Sequence, residues 1–274
     1  MTVSIFTVLA AFALPAGVEA ADDAVEAAAI IDLALDRAAA QRESGIELDF
    51  EYISAGVFEF LDRDGKVSRT ETGRRHHYAL EGYLYSEAIE RDGKPLDGDD
   101  ARDERERKAE FIREARRHAA RGERYEPEEM SVDFDRELME RYDVRVVGTE
   151  DVRGHACWVI AFEPREGRLP DRRRMDKALN RSTGRIWIAQ DDYGVARVDF
   201  TMQRPFRWLW GLVGTLRFAS GQFDFQRLEP NLWMPAVSRI EFDVRVLFGI
   251  KSIRRRIRTE WLKHRPAGIS AALP

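Results

Sequence analysis

Three stretches of this chain follow a period of two, apolar side chains recurring at every second position with charged ones between them for most of their length. In "IELDFEYI" (46–53), Ile46, Leu48, Phe50 and Tyr52 alternate with Glu47, Asp49 and Glu51. In "RIEFDVRVLF" (239–248), Ile240, Phe242, Val244, Val246 and Phe248 alternate with Arg239, Glu241, Asp243 and Arg245. In "IRRRIRTEWLKH" (253–264), Ile253, Ile257, Thr259 and Trp261 lie to one side and Arg254, Arg256, Arg258 and Glu260 to the other. A period of two sends successive side chains to opposite faces of a strand. A sheet of such strands is dry on one face and wet on the other, which is the habit of antiparallel sheets.

The turns agree. "DRDGKV" and "ERDGKPL" place Asp64-Gly65 and Asp92-Gly93 between alternating arms, and Asp-Gly is a favoured pair for a tight hairpin. "YDVRVVGTEDVRGHACWVIAFEP" reads as a hairpin whose second arm is apolar on both faces, hence central in the sheet. "GRIWIAQDDYGVARVDFTM", turning at Asp191–Gly194, and "GTLRFASGQFDFQRL" continue the meander. Two helices interrupt it. Residues 21–42 show a helical apolar stripe of Val25, Ala28, Ile31 (or Ile30), Leu33 and Leu35. Residues 97–121 hold seven acids and seven bases between Asp99 and Arg117, a self-supporting helix with a thin stripe of Phe111, Ile112, Ala115 and Ala119. A short helix near 131–142 follows. The expected fold is α+β: a single curved antiparallel sheet, an open half-barrel, with helices plugging or covering its concave face.

With 274 residues, 44% hydrophobic and 34% charged, the chain has the balance of one globular domain. Residues 1–20 read as a signal peptide. An apolar run from Ile5 to Leu14 is followed by Pro15 and by Val18-Glu19-Ala20, although no Lys or Arg precedes the run. Residues 21–274 then form a single domain with a helical insert near 97–142. No cysteine stands at the cleavage site to carry acyl chains, so a periplasmic or secreted protein is expected, with no membrane span after cleavage. Its one cysteine, Cys157 in "HACWVIAF", reads as a small buried hydrophobe. The net charge of -5 is unsuited to nucleic acid, whose binding draws on phosphate neutralisation.

Recognisable chemistry is missing from the sequence. The only histidine cluster, His76–His77, puts neighbouring side chains on opposite faces, so no metal is expected. No G-x-S-x-G elbow, P-loop or dinucleotide fingerprint occurs, so no cofactor and no catalytic residue are assigned. A hydrolase with an unrecognised carboxylate pair is the remaining enzymatic alternative. Between strands, Arg165, Arg168, Arg172, Arg173, Arg174, Lys177, Arg181 and Arg185 are diluted by Glu163, Glu166, Asp171 and Asp176. This segment reads as a solvated connection, or as a contact for an anionic headgroup through Arg172, Arg173 and Arg174.

The window "RPFRWLWGLVGTLRF" (204–218) has no acid and concentrates Trp208, Trp210, Leu212, Val213 and Leu216. Its uncharged part, Trp208 to Leu216, is nine residues, about half of a bilayer span, so an anchor fails on length. Filled core and an apolar binding wall both remain open. An apolar face covered only by thin lids leaves a cavity suited to acyl chains.

The order of these elements carries a resemblance. The N-terminal helix is followed by Y/F-x-F strands, the two Asp-Gly turns, "GHACWVIAFEPR", "GRIWI…VARVDF", "LWMPAVSRIEFDVRV" and a closing basic strand. Over most of residues 44–262 this resembles the superfamily of outer-membrane lipoprotein carriers (LolA/LolB-like half-barrels), in a secreted, uncharacterised branch. The resemblance implies an unclosed antiparallel barrel with an apolar concave side that holds lipoprotein acyl chains or related lipids. Some members are implied to act as periplasmic sensors. The mixed-charge insert at 97–121 is an addition to that pattern, the chain is longer, and no residue here matches the carrier's latch.

The sequence therefore leads to the expectation of a non-enzymatic protein that binds a lipid or an acylated lipoprotein. Trp208, Trp210, Leu212, Phe218, Phe223, Phe225, Trp233, Phe242 and Val244 are expected to line or gate the apolar cavity. The alternative is an interaction or envelope-sensing module with a filled core and an envelope protein as partner.

Overall fold

The computed structural model describes residues 16–123, 125, 134–171, 175–208, 214–246 and 251–268. Within them the chain runs α1 (Ala16–Ser44), β1 (Phe50–Leu61), β2 (Val67–Leu80), β3 (Tyr83–Arg91), β4 (Lys94–Pro95), α2 (Gly98–Ala120), α3 (Arg136–Met139), β5 (Tyr142–Val152) and β6 (His155–Pro164). It continues with α4 (Asp176–Leu179), β7 (Ser182–Ala189), β8 (Val195–Met202), β9 (Phe206–Trp208), β10 (Gly214–Glu229), β11 (Leu232–Val246) and β12 (Lys251–Pro266). The described strands form one twelve-stranded antiparallel sheet in the order β4-β3-β2-β1-β12-β11-β10-β8-β7-β6-β5, with β9 added beside β10. The sheet is curved and open: β4 and β5 stand at its two edges. An open antiparallel half-barrel with helices against it is the architecture expected above.

The register explains how the two faces separate. Val144, Phe162, Gly184, Phe200, Gly221, Ile240, Ile257 and Phe58 pair in one continuous row from β5 to β1. The glycines in this row make room for rings. A Cβ on Gly184 would lie 2.6 Å from the Phe162 ring, and one on Gly221 would lie 2.5 Å from the Phe200 ring. Large residues beside missing side chains let the row close-pack.

Against β5 to β8, α1 seats Ala27, Ile30, Ile31, Ala34 and Leu35 on Ile160, Phe162, Ile186 and Ile188. Each fully buried Ile, Leu or Phe in this set contributes roughly 1.5–3 kcal/mol, and each Ala correspondingly less. The helix is rotated from the expected stripe. Val25 is 72% and Leu33 46% exposed, while Ala27 and Ala34 are buried. Small alanines bring the helix close to the sheet, so the set that buries best is not the set with the largest side chains. Farther along the helix, Gln41 clasps the backbone of Trp233, donating to its carbonyl at 3.0 Å and accepting from its N–H at 3.0 Å.

Three local expectations are corrected. Residues Ile46–Asp49 form a 3-10 turn, because Gly45 leaves α1 in the left-handed region (φ 64), and the strand starts only at Phe50. The doubly apolar strand β6 is next to the edge, not central. Its two faces are covered by α1 on one side and by a cluster of Trp187, Ala189, Ala196 and Trp233 on the other. The basic connection between β6 and β7 is anchored, not merely solvated: Asp176 of α4 meets Arg141 at 3.2 Å, with side chains 1% and 3% exposed. The mixed-charge helix α2 lies beside the sheet edge, burying Phe111 and Ala115, with Phe111 against Tyr85 of β3.

Candidate functional site

Two surfaces of the sheet are candidates, one on each face. On the apolar face, α1 covers the β5–β8 half. The other half, from β10 through β11 and β12 to β1, holds Ile240, Phe242, Val244, Ile253, Ile257, Phe58 and Phe60, all half-buried. Its two ends are closed by small clusters. At one end Ala178 of α4, Met202, Phe206 and Leu216 pack against Phe242 and Val244. At the other, Tyr52, Leu232 and Met234 pack with Phe50 and Trp261. Between them lies an apolar strip that none of the described helices seals.

A small aromatic group borders this strip. The ring of Tyr52 stacks on His77 at 4.5 Å and on His264 at 5.0 Å, and His77 Nε2 lies 2.8 Å from Ser54 Oγ. Burial, helped by the charge of Arg75 and by the neighbouring histidines, lowers the His77 pKa to about 4, and burial also lowers that of His264. Both rings are neutral at pH 7. His76, one residue along, faces the other way, 2.9 Å from Glu51. Both side chains have partners within the fold.

The opposite face carries a groove of about 840 Å³. Arg145, Ala161, Arg185, Asp199, Gln222 and Arg239 follow one another in register across β5, β6, β7, β8, β10 and β11. Thr183, Thr201, Ser220 and Glu241 form a second row beside them. Under the groove, buried Asp224 accepts from Arg197 at 2.6 Å, from Gln222 at 2.9 Å and from Arg239 at 3.2 Å. Burial works to raise its pKa, but these three donors outweigh burial and hold it below the ordinary carboxylate value. Asp199 goes the other way: burial raises it against the Arg185 N–H and the nearby guanidinium charges. The charged side of β11, expected to be a plain solvated exterior, thus becomes the wall of a groove through Arg239 and Glu241.

The expected cavity residues divide between these surfaces. Phe242 and Val244 lie on the apolar strip, and Phe223 stacks on Phe200 at 6.3 Å in the row that pairs Val198 with Phe223. Phe225 and Trp233 join Cys157, Val159 and Trp187 on the opposite face. Phe223 and Phe225 part company because the β10–β11 register slips between Asp224 and Phe225, and a bulge reverses the alternation. Phe218 pairs with Asp243 and is half-buried. Trp208 closes β9, paired with Gly214. Trp210, Leu212, Arg172, Arg173 and Arg174 lie outside the described residues. Cys157 is fully buried and burial pushes its thiol up to about 11, which is no environment for a nucleophile.

One residue escaped the sequence reading. Arg255 occupies the apolar register between Ile253 and Ile257, paired with Phe242 on one side and Phe60 on the other. The signal was the alternation itself, which places 253, 255 and 257 together. The groove had no such signal, because it is assembled from six strands that are distant in sequence.

Among comparisons with known proteins, no family model and no curated protein matches the chain. Solved structures similar to it include a DUF1329 family protein from Desulfovibrio piger, 16% identical, covering 89% of this chain and 95% of that one with a TM-score of 0.36. A putative outer membrane lipoprotein-sorting protein domain from Vibrio parahaemolyticus is 13% identical, with coverage of 90% and 95% and a TM-score of 0.36. A LolA superfamily protein from Nitrosomonas europaea is 10% identical, with coverage of 85% and 94% and a TM-score of 0.31.

Proposed function

We propose that this protein is a non-enzymatic carrier of the cell envelope that holds a lipid, or the acyl chains of a lipidated polypeptide, on the half of its apolar sheet face that none of the described helices seals. The observation that carries this reading is the half-burial of Phe58, Ile240, Phe242, Val244 and Ile257, beside a half of the same face where Ile160 and Ile188 are completely buried. Phe223 borders the strip, stacked on Phe200. An acyl chain of a dozen methylenes laid along this strip gains on the order of 10 kcal/mol before association costs, at roughly 0.8 per CH₂. Phe225 and Trp233 stay in the opposite face as packing.

Organic extraction of the purified mature protein followed by mass spectrometry tests this. A stoichiometric lipid in the extract, and saturable binding of a fluorescent fatty acid that Phe242→Asp abolishes, is the expected result. A clean extract with no fatty-acid binding sinks it.

The second reading, an interaction module with an envelope protein as partner, is favoured by the groove on the charged face. Its arginines Arg145 and Arg185 flank the small Ala161 in register, which suits an acidic peptide segment. Under this reading the fatty acid does not bind and the apolar strip is packing alone.

A further inference from the structure

Arg255 is the one cation of β12 that lies on the apolar strip, and its surroundings contrast with those of its neighbours. Arg254 meets Glu241 at 3.1 Å, Arg256 meets Glu59 at 3.1 Å, and Arg258 meets Glu260 at 2.5 Å. Arg255 points to the other side of the strand. Among the described residues it makes no ion pair and no hydrogen bond, and its Nε is buried without a partner. The guanidinium lies 4.5 Å from the centre of the Phe60 ring. That ring is already engaged by Arg69 at 3.9 Å. The carboxylate opposite Phe58 on this face, Glu71, is held by Arg69 at 3.1 Å. A half-buried cation thus stands between two phenylalanines and two isoleucines, and Glu71 on the same face is committed to Arg69.

A desolvated charge is costly unless it is paired, and the attraction of a shared aromatic ring restores only part of the lost hydration. We propose that Arg255 is the anchor for the anionic headgroup of the bound lipid. A carboxylate or phosphate takes the guanidinium fork in a bidentate contact, while the apolar tail lies over Phe242, Ile257 and their neighbours. This rests on the lipid-carrier reading and gives it a chemical class: single-tailed amphiphiles ending in an anionic oxygen group. The planar, permanently charged guanidinium suits both oxygen geometries. The strip selects by headgroup charge as well as by length.

The test is competition at pH 8 against a fluorescent fatty acid, on the wild-type chain, Arg255→Met and Arg255→Lys. The competitors are palmitate, its methyl ester and palmitoyl lysophosphatidate. Wild type is expected to prefer the anionic competitors over the ester by roughly tenfold to a hundredfold, the range of a charge-assisted bidentate contact. Arg255→Met, which keeps the stem, removes that preference while ester binding stays within about twofold, and Arg255→Lys retains part of it. The anion that loses more in Arg255→Met identifies the headgroup as carboxylate or phosphate. Equal wild-type affinity for acid and ester overturns the anchor and leaves the carrier reading standing. A preference that survives Arg255→Met does the same. Absence of binding for every competitor to wild type overturns both.

Discussion

The two halves of the apolar sheet face are built alike and end differently. Both pair branched aliphatics with phenylalanines in the same cross-strand row, from Phe162 and Phe200 through to Ile240, Ile257 and Phe58. Under α1, Ile160 and Ile188 are fully buried and the row is core. From β10 to β1 the same kind of residue is half-buried, and a lone arginine sits among them. The difference teaches that an apolar strand face becomes core only where another element reaches it. Where no described element seals it, the same kind of residue stays half-buried.

The largest expected effect comes from loosening what joins the halves. Arg141 and Asp176 form a buried pair that ties α4, the cover at one end of the open half, to the start of β5 in the closed half. Arg141→Met takes away the cation and is expected to destabilise the fold by about 3–5 kcal/mol in urea denaturation, with the open half loosening first in hydrogen exchange. A loss below about 1 kcal/mol means the pair does not join the halves.

A direct contrast comes next. Ile160→Ala under α1 is expected to cost about 3 kcal/mol, because it leaves a sealed cavity, whereas Ile257→Ala in the open half costs about 1 kcal/mol. Equal losses in thermal or urea unfolding erase the distinction and with it the uncovered strip.

A further effect is set by pH. His77 sits beside the open half with its folded pKa lowered to about 4, below the 6.5 of the unfolded chain. The unfolded state therefore binds the extra proton between these values. The contribution is complete above about pH 6.5 and is lost as pH falls toward 4. His264 acts in the same direction. Between pH 7.5 and 5, wild type is expected to lose about 2 kcal/mol through His77. His77→Gln flattens that part of the profile, and an unchanged profile shows that the histidine is not buried in the folded protein.

How far the site was legible depends on the residue. Phe242 and Val244 were legible because β11 alternates without a break through them. Phe225 and Trp233 were misplaced relative to Phe223 because a one-residue slip at Asp224 changes the face of everything beyond it. The stripe of α1 was read by size, through Val25 and Leu33, when close approach selected Ala27 and Ala34. Arg255 is legible in principle, because the alternation places it with Ile253 and Ile257.

The sequence alone determined most of the strands and their turns and, within an unbroken strand, which residues share a face, because a period of two and Asp-Gly turns are local properties of the backbone. It determined that one face is apolar and that the chain holds no familiar catalytic motif. Only the tertiary structure decided which half of that face α1 covers, that the charged side of six strands lines a groove, and that Arg255 lies between Phe60 and Phe242 with no carboxylate partner among the described residues. Those facts depend on pairings between residues up to about two hundred positions apart, such as Phe60 with Arg255. The free energy of such contacts depends on what else arrives at the same place, and no local pattern records that.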